Sequence, residues 1–74
     1  MVNKILEIVN GIRAAKGLAP VNSINADTKL REDLNLTSFD LAELTVKIED
    51  EYDIDIFEDG LVNTVGEILT KLEQ

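Results

Sequence analysis

The stretch LNLTSFDLAEL, Leu34 to Leu44, sets a hydroxyl nucleophile, Ser38, between a second hydroxyl, Thr37, and an apolar Phe39, with carboxylates following at Asp40 and Glu43. A serine becomes a catalytic nucleophile when a neighbouring base takes its proton, and histidine is the usual base near neutral pH. The chain has no histidine, so serine–histidine chemistry is excluded. It has no cysteine either, which removes disulfides, cysteine-ligated metals and a protein thiol nucleophile. No acid–base pair or metal constellation is visible, so no catalytic residue and no metal ligand is assigned, and an enzyme is the least expected class. The run DIDIFEDGLVN invites a calcium reading, but an EF-hand loop needs oxygen ligands at positions 1, 3, 5 and 12 and glycine at 6. Counted from Asp53, those last three positions fall on Phe57, Thr64 and, for the glycine, Glu58. Two roles stay open for Ser38. Thr37 or Ser38 can cap a helix, with Asp40 favourable in its first turn, an effect of about 1 kcal/mol; or Ser38 is an acceptor that another protein modifies.

Charge narrows the partners. The net charge is −8, and it is concentrated: from Ser38 to Asp59 there are nine acids against one base, Lys47, whereas six acids and six bases elsewhere cancel. Such an excess argues against nucleic acid and anionic membrane and for a basic partner. It also predicts self-repulsion, so added salt or millimolar divalent cations are expected to raise the melting temperature by screening; a melting temperature that ignores salt would remove self-repulsion as a destabilising effect. No apolar run approaches the roughly 20 residues that span a bilayer, and the start MVNKILEIVNGIRAAKG lacks a signal peptide's features. A cytoplasmic protein without stable membrane insertion is expected.

Three segments must position this chemistry. Residues 3–16 carry Ile5, Ile8, Val9 and Ile12 at helical spacing, with Asn3 as a candidate N-cap and Gly17 as a stop. Residues 38–52 repeat the pattern with Leu41, Leu44, Ile48 and Tyr52, and a third stripe, Val65, Ile68, Leu69 and Leu72, follows Thr64 and Glu67 at capping-box spacing. Helices this short are marginal alone and must pack their stripes together. The expected fold is all-α, one domain over residues 1–74: a small bundle of three main amphipathic helices, a long first loop and a short extra helix near Phe57 to Leu61. The loop of residues 18–37 needs a tether, which Leu18, Val21, Ile24, Leu30, Leu34 and Leu36 supply, with a helical turn expected at Leu30 to Leu34.

At about 100° per residue, Leu41, Leu44, Ile48 and Tyr52 share one arc of the middle helix. Phe39 and Val46 fall opposite, with Ala42, Glu43, Glu49 and Asp50 around them. Apolar anchors ringed by carboxylates make a docking surface, the anchors giving affinity and the acids steering.

The run LREDLNLTSFDLAELTVKIEDEYDIDI resembles the central part of acyl carrier proteins. Glu32, Asp33 and Leu34 match that family's loop, Ser38 its modified serine, Asp40, Glu43 and Leu44 the helix start, and Glu49, Asp50, Glu51, Tyr52 and Asp53 the acidic helix end. TVGEILTKLEQ is similar to the family's last helix. The resemblance implies that Ser38 carries 4′-phosphopantetheine, transferred from coenzyme A by a separate transferase. It implies an acyl carrier role, most directly in fatty acid synthesis, with acyl groups held as thioesters. A specialised carrier (D-alanyl, polyketide or another secondary pathway) and an unmodified interaction module are the alternatives.

The implied partners are a phosphopantetheinyl transferase and acyl-loading and acyl-processing enzymes with basic docking surfaces, met by a monomer through Thr37, Phe39, Asp40, Ala42, Glu43, Val46, Glu49 and Asp50. The acyl chain is expected among Leu44, Ile48, Ile54, Ile56, Leu61 and Ile68. The family's Asp-Ser-Leu reads Thr37-Ser38-Phe39 here, removing an acid usually presented to the transferase, and Lys47 sits at the edge of the docking face. Asn35 and Leu36 stand where carriers cut from nonribosomal synthetases usually have glycines; together with Met1 they favour a free-standing carrier.

Overall fold

The computed structural model describes residues 2–58, 60 and 62–73. Three helices follow in order: α1, Val2–Ala15; α2, Ser38–Tyr52; and α3, Val65–Glu73. Among the described residues there is no strand, only one isolated antiparallel bridge that ties Lys29 to Thr64. The all-α expectation is met.

Each helix forms where its apolar stripe meets local start and stop chemistry. On α1, Ile5, Val9 and Ile12 are buried one turn apart. Asn3 does not cap it: the helix begins at Val2, which places Asn3 inside the first turn, exposed, where first-turn N–H groups can be met by water. The other end closes as expected at Gly17, which takes φ 77°. There the Leu18 N–H donates to Arg13 O at 2.9 Å and the Gly17 N–H to Ala14 O at 3.0 Å, the paired bonds of a Schellman motif. α3 starts with the anticipated box: the Glu67 N–H donates to Thr64 Oγ1 and the Thr64 N–H to Glu67 Oε1, both at 3.2 Å. α2 ends at Asp53, a left-handed residue whose N–H reaches Glu49 O at 2.7 Å.

The stripes converge on one core in which Ile5, Val9, Ile12, Leu30, Leu34, Leu44, Ile48, Ile56, Val65 and Ile68 are buried. Burying a side chain of this size contributes roughly 1.5–3 kcal/mol, which is what holds short helices that would fray alone. Five of the six expected tethers hold the long loop, Ile24, Leu30, Leu34 and Leu36 being buried and Val21 packed against the core, whereas Leu18 is half-buried outside that cluster. The helical turn at 30–34 is present, with the Asp33 and Leu34 N–H groups both donating to Lys29 O.

The loop has a second, polar tether. Asn10 on α1 donates from Nδ2 to Val21 O (3.1 Å) and accepts the Val21 N–H on Oδ1 (2.9 Å). Arg13, only 8% exposed, donates from Nη1 to Leu34 O at 2.7 Å and from Nε and Nη2 to Ala19 O at 3.1 and 2.9 Å. The buried Leu34 carbonyl, which would otherwise be unpaired, is thereby satisfied.

Ile56 is buried in the core and Ile54 packs against it. Near the anticipated extra helix the described residues form turns instead, with the Glu58 N–H to Asp55 O at 3.3 Å and the Gly60 N–H to Phe57 O at 3.1 Å; Asp59 and Leu61 lie outside the described residues. The Asp55 carboxylate accepts the Phe57 N–H at 2.9 Å, a local bond that competes with helix.

Two glycines give opposite predictions. Gly66 brings α3 against residue 26: its N–H donates to Ala26 O at 2.9 Å, and a Cβ there would stand 2.8 Å from that oxygen. Gly66→Ala is expected to cost about 1–3 kcal/mol through overpacking against backbone. Gly11, in the middle of α1, has nothing within 4 Å of an added Cβ, so Gly11→Ala is expected to add about 0.5–1 kcal/mol. Thermal melts of the two variants check both signs.

Candidate functional site

The start of α2 decides which hydroxyl caps and which is available. Thr37 is the N-cap, with extended backbone at φ −87° and ψ 175°; its Oγ1 accepts the Asp40 N–H at 3.2 Å, while its own N–H donates to Asp40 Oδ2 at 2.9 Å. Ser38 is therefore the first helical residue, exposed, and its Oγ takes no part in the cap. Both hydroxyls suited the cap by type. The signal that separates them is the carboxylate three residues after Thr37, where Ser38 is followed at that spacing by Leu41.

Ser38 Oγ instead accepts a hydrogen bond from Arg31 Nη2 at 2.8 Å. Arg31 arrives from the helical turn at 30–34, which the buried Leu30 and Leu34 pin to the core on either side of it. Beside the pair lies an open cleft of about 190 Å³ lined by Arg31, Ser38, Leu41, Ala42 and Phe57. Arg31, Leu41 and Phe57 were not among the expected site residues. Nothing local announces Arg31, because it sits seven positions before Ser38 on a separate turn.

Asp40 is the expected docking residue that the fold turns inward. It is 5% exposed, and Lys16, just beyond the end of α1, donates from Nζ to Asp40 Oδ2 at 2.6 Å and to Asn35 O at 2.7 Å. The Lys16 ammonium, followed by the Thr37 N–H, holds the Asp40 carboxyl below its ordinary value of 3.8. Asn35 accepts the left-handed φ of 58° that brings its carbonyl to Lys16, a conformation asparagine tolerates better than most residues.

The other docking candidates face outward. Phe39 is 79% exposed and Val46 60%, with Thr37, Ala42, Glu49 and Asp50 exposed around them and Glu43 half-buried. Glu43 pairs with Lys47 at 3.9 Å, whereas Glu49 and Asp50 have no ion-pair partner among the described residues. Of the acyl-chain candidates, Leu44, Ile48, Ile56 and Ile68 are fully buried in the common core, Ile54 is partly buried against it, and Leu61 lies outside the described residues. The cleft that opens at Ser38 is lined by other residues, Leu41, Ala42 and Phe57.

The arrangement fits a covalently attached phosphate ester. An exposed primary hydroxyl stands at the start of a 15-residue helix, next to a guanidinium, and the cap leaves the Ser38 and Phe39 N–H groups without a protein acceptor among the described residues. First-turn N–H groups and arginine are the donors that phosphate oxygens take in proteins.

Residues 4–72 match the family described as a phosphopantetheine attachment site. Acyl carrier protein 3 of Ralstonia nicotianae is 32% identical over 71 residues, covering 93% of this chain and 82% of that protein. No solved structure gives a significant match.

Proposed function

The chain belongs to the acyl carrier protein family, whose members are carriers rather than enzymes and bear phosphopantetheine, and from that premise we propose that it carries acyl groups as thioesters on a 4′-phosphopantetheine arm attached to Ser38. The observation that carries the assignment of the residue is the exposed Ser38 Oγ at the first position of α2, left out of a cap that Thr37 and Asp40 complete between themselves. The arm supplies a thiol, the one group for thioester formation that this cysteine-free chain lacks. Ser38 is a passive acceptor: among the described residues no base stands on its hydroxyl, so a separate transferase must remove the proton.

The exposed Phe39, Ala42 and Val46, with Thr37, Glu43, Glu49 and Asp50, form the docking surface for that transferase and for acyl-loading and acyl-processing enzymes with basic faces. Asp40 leaves this set, since its carboxylate is committed to Lys16 and Thr37. The acyl chain enters by the Leu41–Ala42–Phe57 cleft and is sheltered by the buried Leu44, Ile48, Ile56 and Ile68. Fatty acid synthesis is the first reading of the pathway. Thr37 and Phe39 in place of the family's aspartate and leucine, with Lys47 beside the docking acids, support a specialised carrier as the second. The proposal includes a monomer in the cytoplasm working as one carrier domain over residues 1–74; the charge of −8 supports a protein that repels its own copies.

The test is intact-protein mass spectrometry after incubation with coenzyme A, magnesium and a broad-specificity phosphopantetheinyl transferase, followed by fragmentation. A gain of one phosphopantetheine, localised to Ser38, is expected. A folded protein that gains nothing overturns the assignment and leaves the unmodified interaction module.

A further inference from the structure

We propose that Arg31 is an intramolecular clamp for the phosphodiester of the modified protein, a positioning residue that fixes the direction in which the arm leaves Ser38. The inference rests on the carrier reading and goes beyond it to a residue that neither the docking surface nor the core uses.

Arg31 is the cation that the fold leaves available at this site. Lys4, Lys16, Lys29 and Lys47 each pair with a carboxylate, and Arg13 spends its guanidinium on the carbonyls of Ala19 and Leu34. Arg31 pairs with no carboxylate among the described residues, although the chain carries eight more negative than positive charges. Its one hydrogen bond among the described residues goes to Ser38 Oγ, the atom that would bear the phosphorus. An exposed arginine in an acidic protein normally finds an acid, as the lysines do here, so its approach to a neutral hydroxyl is set by where the 30–34 turn holds it.

Modification changes what that guanidinium faces. Phosphate oxygens sit one bond beyond the phosphorus on Oγ, so a group already touching Oγ reaches them by a side-chain rotation. A guanidinium offers two parallel donors to phosphate, where an ammonium offers a point charge. Because Arg31 is also a wall of the cleft formed with Leu41, Ala42 and Phe57, a phosphate held on its side starts the arm toward that cleft and away from the docking anchor Phe39, which is 79% exposed. The unpaired N–H groups of the first turn bind phosphate in any variant, so the distinctive contribution of Arg31 is the part that disappears when its charge is removed.

The experiment compares unmodified and phosphopantetheinylated forms of the wild type, Arg31→Gln and Arg31→Lys, with the loading of each verified by mass. Two quantities are read: the change in melting temperature on modification, at low and at high salt, and the phosphorus-31 chemical shift of the phosphodiester. In the wild type, modification is expected to raise the melting temperature by roughly 2–5 °C at low salt, the scale of an exposed ion pair in a domain of this size. High salt should erase the rise. Arg31→Gln should show a clearly smaller rise, the part left to the first-turn N–H groups, and shift the phosphorus resonance, and Arg31→Lys should recover part of the difference. Equal rises in wild type and Arg31→Gln with coincident phosphorus resonances would overturn the clamp while leaving the carrier reading intact. A folded wild type that takes no phosphopantetheine would overturn both, and the mass spectrum alone separates the two failures.

Discussion

Ser38→Ala is expected to abolish phosphopantetheinylation completely while leaving the protein folded, with a melting temperature within a few degrees of the wild type. The two halves of that result have separate causes. Loss of modification follows because no other hydroxyl occupies the first helical position of α2 beside Arg31. Retention of the fold follows because the substitution removes one exposed hydrogen bond, from Arg31, and leaves the cap between Thr37 and Asp40 untouched. An exposed bond of that kind contributes at most about 1 kcal/mol, and alanine is a better helix former than serine. Thr37→Ala is the complementary variant. It removes the cap hydroxyl at a cost of about 1 kcal/mol, yet keeps the acceptor oxygen, so it should melt lower and still be modified. Intact mass and thermal melts of both variants check the assignment. A Ser38→Ala protein that still gains the arm would move the acceptor elsewhere, and one that keeps every partner interaction and cellular role would favour the interaction module.

Asp40→Asn carries the largest expected loss of stability. Asp40 Oδ2 gathers the Lys16 ammonium at 2.6 Å, the Thr37 N–H at 2.9 Å and the Thr37 hydroxyl at 3.0 Å, joining the residue just past the end of α1 to the start of α2. The amide cannot accept all three and brings no charge. Losing the charge-assisted bond and weakening the cap is expected to cost about 2–3 kcal/mol, which lowers the melting temperature by roughly 8–20 °C in a domain of this size.

The pH dependence separates charge from shape. The folded carboxyl titrates below 3.8, with Lys16 the first cause, while the unfolded one titrates near the ordinary value. Its contribution is therefore present above the unfolded value and disappears as pH falls through the lower folded one. Wild type and Asp40→Asn should differ most well above the ordinary carboxyl value of 3.8 and converge only as pH falls past it through the lower folded value. Lys16→Met removes the first cause of the depression, so it should narrow the same gap at neutral pH. Denaturant melts at pH 7, 5 and 2.5 test this; an equal deficit at all three would assign the loss to the cap geometry alone.

The helix expectations that held rested on relations between near neighbours in the chain. Ile5, Val9 and Ile12, and Leu41, Leu44 and Ile48, are one turn apart, and a turn of helix places such residues on one face whatever the rest of the protein does. Gly17 and the Thr64–Glu67 box work within three to five positions, and so they were legible too. Phe39 and Val46 were correctly placed outside because they lie opposite a stripe long enough to be trusted. Asn3 failed as a cap because an N-cap's residue type fits several neighbouring positions and only the backbone dihedrals choose among them.

What the sequence determined by itself was thus the three helices, their buried faces, the acidic character of the middle one and, through its resemblance, the family. Tertiary structure alone decided which polar groups meet. Asn10 and Arg13 hold loop carbonyls 11 and 21 positions away, Lys16 finds Asp40 across 24, and Arg31 reaches Ser38 across 7 from a turn pinned by leucines. The physical reason is one of range. Helical periodicity fixes a residue's direction relative to its own axis, whereas a hydrogen bond between elements needs angstrom-level placement of both backbones, which exists only once the apolar stripes have packed and the chain between them has been drawn tight. A carboxylate read as a docking acid could for that reason turn out to be the internal fastener of its helix, and an arginine with no local signal could come to rest on the Ser38 hydroxyl at the start of α2.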